Sequence, residues 1–72
     1  MDKIKKLNKA KLMNNVRQMI AESEFSIEWI ALSLQISERV IYYWLKGERA
    51  PAIEHVYGLS QLFCVPMESI LA

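Results

Sequence analysis

Between Ser37 and Arg49 the chain carries Ser37, Glu38, Arg39, Tyr42, Tyr43, Lys46 and Arg49. Several of these stand three or four apart, so on a helix they share a face. Their chemistry is recognition. A guanidinium presents a rigid fork of donors, a carboxylate accepts, and a phenol joins an apolar ring to a polar tip. The side chains that would break bonds are not grouped for it. His55 is the one histidine, with only Glu54 beside it at ligand spacing, and it reads as a packing or surface residue. The glutamates have no nucleophile–base set to join. We therefore read the chain as non-enzymatic, with no metal and no cofactor.

Elements short enough to fit 72 residues must position that recognition surface. This length makes one domain with a small core, which leans on close helix packing or a partner. A 24% share of charged residues argues against disorder. Two Gly and two Pro are too few for a turn-rich β fold. The single cysteine, Cys64, excludes an internal disulfide, and a reducing, cytoplasmic setting is expected. Cys64 itself reads as a small hydrophobe. No apolar run approaches a membrane span, and the N-terminal lysines lack the apolar stretch of a signal peptide.

Cap and turn residues divide the chain into five helices, an all-α fold. Val16, Met19 and Ile20 recur at helical spacing over Asn14–Glu22, and Ile4, Leu7 and Leu12 allow an earlier start. Ser26 suits the N-cap of a second helix reaching Leu34. Gln35-Ile36 is a short connection, and Ser37-Glu38 opens a third helix with a cap and a first-turn acid. That helix runs to Lys46, where Gly47 suits a left-handed C-cap. Ala52–Phe63 reads as a fourth helix, with Ile53, Val56, Tyr57, Leu59 and Phe63 as its core face and Gly58 inside it. Pro66 opens a short fifth helix, Met67–Leu71.

Charge is uneven. Residues 1–17 carry net +5 and residues 18–72 net −4. This divides the chain into a basic N-terminal arm or helix extension (1–12) and a mildly acidic domain (13–72). Such an arm is either a solvated terminus or a contact for phosphates.

Two short helices joined by a tight turn, the second with outward polar side chains, form a helix-turn-helix. Its second helix fits the ~12 Å major groove of DNA. Phe25-Ser26-Ile27-Glu28-Trp29-Ile30-Ala31-Leu32-Ser33-Leu34-Gln35-Ile36-Ser37 resembles helix 2 and the turn of the Cro/repressor-type (XRE) helix-turn-helix family. Val40–Pro51 resembles its helix 3 and the closing Trp-x-x-Gly-x-x-x-Pro, here Trp44, Gly47 and Pro51. The likeness covers residues 14–72.

The resemblance implies a compact five-helix lambda-repressor-like bundle and a small Cro-like repressor. Such a protein binds double-stranded DNA in the nucleoid as a homodimer through helices 4 and 5. It places Glu38, Arg39, Tyr42 and Tyr43 against base edges, and Ser26, Ser37, Lys46 and Arg49 against phosphates. The chemistry agrees. Arg39 can bond guanine O6 and N7 bidentately, Glu38 can accept from cytosine N4, and the tyrosines can pack on thymine methyls or bond phosphates.

The chain also departs from the family. Ile20 and Leu45 stand where the family often has a buried Arg–Glu pair, and an apolar contact is a sound replacement. Gln35 and Cys64 replace glycines. Trp29, Leu32 and Tyr42 are apolar where the family is polar. The basic N-terminal segment could cover them with Ile4, Leu7 or Leu12, or they could be tolerated singly. In a third reading they form a protein-binding patch. The alternative function is accordingly a protein–protein interaction module on the same fold, centred on Trp29 and Leu32.

Overall fold

A computed structural model of the chain describes residues 8–71. Five helices follow in order: α1 (Lys9–Glu22), α2 (Ile27–Leu34), α3 (Glu38–Lys46), α4 (Ile53–Phe63) and α5 (Met67–Leu71). There is no strand among the described residues. The all-α, five-helix expectation therefore holds; α4 starts one residue later than read, at Ile53, and the start of α1 is displaced further. α1 begins at Lys9 and not Asn14, because Asn8 is its cap and accepts from the Lys11 N–H at 3.1 Å. The extra turn buries Leu12 in the core. Leu12 therefore does not cover Trp29. Ile4 and Leu7 lie outside the described residues.

Serine caps start the two central helices. The Ser26 hydroxyl accepts from the Trp29 N–H at 3.0 Å, and the Ser37 hydroxyl from the Val40 N–H at 3.4 Å. Each satisfies a first-turn donor that has no partner within its helix. α2, α3 and α4 all end on a left-handed residue: Gln35 (φ 59°), Gly47 (φ 77°) and Cys64 (φ 57°). In each case the next N–H reaches back five residues, from Ile36 to Ala31, Glu48 to Tyr43 and Val65 to Ser60, at 2.9–3.0 Å. Only Gly47 adopts this φ without a Cβ penalty. Cys64 serves as a cap and is exposed, so it does not pack as a small hydrophobe.

One core joins all five helices. Leu12, Val16 and Ile20 from α1 meet Ile30 and Ala31, Ile41 and Trp44, Val56 and Leu59, and Ile70. Leu45 packs against this cluster from the side, so the apolar contact expected in place of a buried Arg–Glu pair is present. Two long-range hydrogen bonds pin the outer helices. Asn15 Nδ2 donates to Ile70 O at 2.9 Å, and Arg17 Nε donates to Leu45 O at 3.1 Å. Gly58 permits the close approach of α4 to α2, since a Cβ there would lie 2.7 Å from Leu34 Cδ2.

The expected core face of α4 needs a correction. Val56 and Leu59 are buried as expected, but Ile53 is 62% and Tyr57 56% exposed. They stand four apart on the helix flank, just beside the buried stripe. The apolar stripe of α4 is thus wider than the bundle covers, and its outer edge stays exposed.

Candidate nucleic-acid interface

α3 presents its outward side as a strip. At about 100° per residue, Glu38, Tyr42, Lys46, Arg39 and Tyr43 succeed one another round an arc of about 140°. Ile41 and Trp44 occupy the opposite side and are buried, so the core dictates which side chains face out. Glu38, Arg39, Tyr42 and Lys46 are exposed, and Tyr43 is half-buried. The strip holds two cations, one carboxylate and two phenols. Among the described residues Arg39 has no hydrogen-bond or ion-pair partner, which leaves its donor fork available.

Neighbours fix both ends of this helix. Ser37 closes its N-terminus. The Arg17 guanidinium, brought from α1, hydrogen-bonds the Leu45 carbonyl at its C-terminal end, where the helix dipole favours a cation. The His55 ring lies 5.7 Å from the Trp44 ring, which fits its reading as a packing residue. The Arg17 contact could not be found in the sequence, because it joins residues 28 apart.

Arg49 stands past Gly47 but folds back, with its guanidinium carbon 4.7 Å from the centre of the Tyr43 ring. This cation–π geometry makes Arg49 and Tyr43 one unit at the edge of the strip. Ser26 and Ser37 lie at helix starts, and their hydroxyls already accept from their own helices. What they offer an anion is the first-turn backbone N–H groups behind them. Glu38 in the first turn of α3 weakens that attraction there. An open cleft of about 510 Å³ adjoins this end of the molecule, lined by Lys9, Leu12, Met13 and the Gly47–Pro51 loop.

Trp29 and Leu32 are not on this strip. They stand on the outward face of α2, 44% and 72% exposed. Phe25 joins them, its ring 4.4 Å from Trp29 and 5.6 Å from Phe63. A signal for Phe25 existed in the sequence, since an apolar residue just before an N-cap commonly packs on the first turns of its helix.

A serine-capped helix, a tight left-handed turn and a second serine-capped helix, set in a five-helix bundle, define a repressor-like helix-turn-helix domain. The chain is similar in structure to the SOS-response transcriptional repressor LexA from Eubacterium rectale. The two share 28% sequence identity and a TM-score of 0.79 over 89% of this chain and 68% of that one. No family model and no curated protein sequence matches the chain. No described helix is long and apolar enough to cross a membrane.

Proposed function

We propose that the chain is a sequence-specific double-stranded DNA-binding regulator, a small Cro-like repressor working at the nucleoid in the cytoplasm. The observation that carries this reading is the single outward strip of α3 on a repressor-type scaffold. Glu38, Arg39, Tyr42 and Tyr43 face base edges in the major groove. Lys46 and Arg49 meet phosphates on its flanks, and Ser26 and Ser37 mark the helix starts that offer backbone N–H groups to phosphates. The lysines of the basic arm, residues 1–12, enlarge the cationic footprint.

The regulator acts as a homodimer through α4 and α5. Ile53 and Tyr57, exposed side by side on α4, supply apolar surface for a two-fold contact. Two α3 helices would then sit ~34 Å apart, one DNA turn.

Fluorescence anisotropy on random-sequence duplex DNA, across about 50–200 mM salt, tests the reading. A micromolar complex that weakens steeply with salt is expected, followed by a tighter complex with a selected site. Absence of binding at the low-salt end would remove the groove assignment.

A second reading, a protein-interaction module, is favoured by one observation. The Phe25–Trp29–Leu32 face is larger than the scattered apolar residues of an ordinary surface.

A further inference from the structure

Charge in this chain is sorted along α1. Residues 1–17 carry net +5. Residues 18–38 contain Glu22, Glu24, Glu28 and Glu38 with no Lys or Arg, and residues 39–72 are balanced. α1 is about 21 Å long and runs from the first zone into the second. Its first turn holds Lys9 and Lys11 and its last turn Glu22. This order opposes the helix dipole, which favours acids at the start and cations at the end. α1 therefore gains nothing from it, and the polarity is available to a partner.

Each end also has a shape. Past the acidic end Phe25, Trp29 and Leu32 project as an apolar knob, with the exposed carboxylates Glu24 and Glu28 beside them in the chain. At the basic end the open cleft has an apolar side from Leu12, Met13, Ala50 and Pro51, and cations from Lys9 and Arg49. Glu48 also lines it. The Arg17 guanidinium stands behind Gly47, within 3.4 Å of where a Cβ would lie there, so cations outnumber the one acid. The open cleft holds about 510 Å³, room for an apolar side chain from outside. Methionine at its wall is adaptable to such a side chain.

We propose that the occupant of this cleft is a second copy of the chain, docked head to tail. The Trp29 knob of one copy enters the Lys9–Arg49 cleft of the next, with Glu24 and Glu28 facing its cations. Knob and cleft lie near opposite ends of α1, about 21 Å long, so the knob of one copy does not reach its own cleft. The contact is heterologous and repeats from copy to copy, unlike a two-fold contact through α4. It rests on these two surfaces alone, though Lys9 and Arg49 also belong to the surface proposed to meet DNA, so docking and DNA binding would compete for them.

The test separates the two contacts. A full chain carrying Ile53→Glu and Tyr57→Glu loses the apolar face of α4 and keeps knob and cleft. Its sedimentation is followed from about 5 to about 500 μM, at about 50 and about 300 mM salt. Concentration-dependent association that weakens with salt is expected. Adding Trp29→Ser should weaken it by at least about tenfold. A chain that stays monomeric throughout the low-salt range, or association unmoved by Trp29→Ser, overturns the proposal. In the otherwise unaltered chain, Glu28→Lys and Lys9→Glu should each weaken salt-sensitive association, and the two together should restore it. No restoration by the pair would equally overturn it. All five positions are exposed, and circular dichroism confirms folding of each variant.

Discussion

The outward faces of α2 and α3 are neighbours in one motif, yet they carry opposite chemistry. α3 shows Glu38, Arg39, Tyr42, Tyr43 and Lys46, whereas α2 shows Trp29 and Leu32 with Phe25 stacked at its start. Both helices bury only two residues each in the core: Ile30 and Ala31, and Ile41 and Trp44. The scaffold thus sets which positions are outward and leaves their chemistry unconstrained. Surface residues cost little to change, so the two faces can serve different partners without altering the bundle.

The largest effect should come from breaking what both faces share. Ile41→Ala empties a fully buried site and should cost about 2–5 kcal/mol, read by urea unfolding. Both faces should fail together. If DNA binding were lost while stability held, Ile41 would be acting outside the core.

Arg39→Ala should separate the faces. We expect a loss of about 1–3 kcal/mol on the selected site, relaxed specificity at one base pair and unchanged thermal stability. An unchanged affinity would show that α3 is not seated in the groove as proposed. Lys46→Ala should weaken binding to all sequences alike and lower the salt slope by about one.

The turn between the faces offers a smaller test. Gln35 holds a left-handed φ that glycine adopts without a Cβ clash. Gln35→Gly should stabilise the chain by about 0.5–1 kcal/mol in denaturant titrations. A destabilised variant would mean that the Gln35 side chain makes a compensating contact.

Trp29→Ser should have the smallest effect on the DNA face. Stability should stay within about 0.5 kcal/mol and duplex affinity should be unchanged, while self-association falls. A parallel loss of duplex affinity would make the two faces one interface.

Much of this architecture was legible before any coordinates. Ser26, Ser37 and Gly47 mark helix ends because capping is local: a hydroxyl satisfies an N–H three residues on, and a glycine tolerates φ above zero. The strip on α3 was readable for a similar reason. The nine residues from Glu38 to Lys46 form little more than two turns, and their spacing alone gathers five side chains on one side. α4 resisted because its apolar residues are too many for one face. Periodicity places Ile53 and Tyr57 near Val56 without saying how wide the buried stripe is, and the bundle covers only part of it.

The sequence by itself determined the all-α class, the caps and turns, the register of α3 and the opposed charge of residues 1–17 and 18–38. All of these depend on residues within a turn or two of one another. Only the tertiary structure decided that Arg17 closes the end of α3, that Asn15 ties α1 to the Ile70 carbonyl, and that Leu12 belongs to the core. It also decided that Arg49 folds onto Tyr43, and that Lys9 and Pro51 flank one cleft. Such contacts depend on how rigid helices pack, and ridge-into-groove packing brings together residues whose sequence separation carries no local signal.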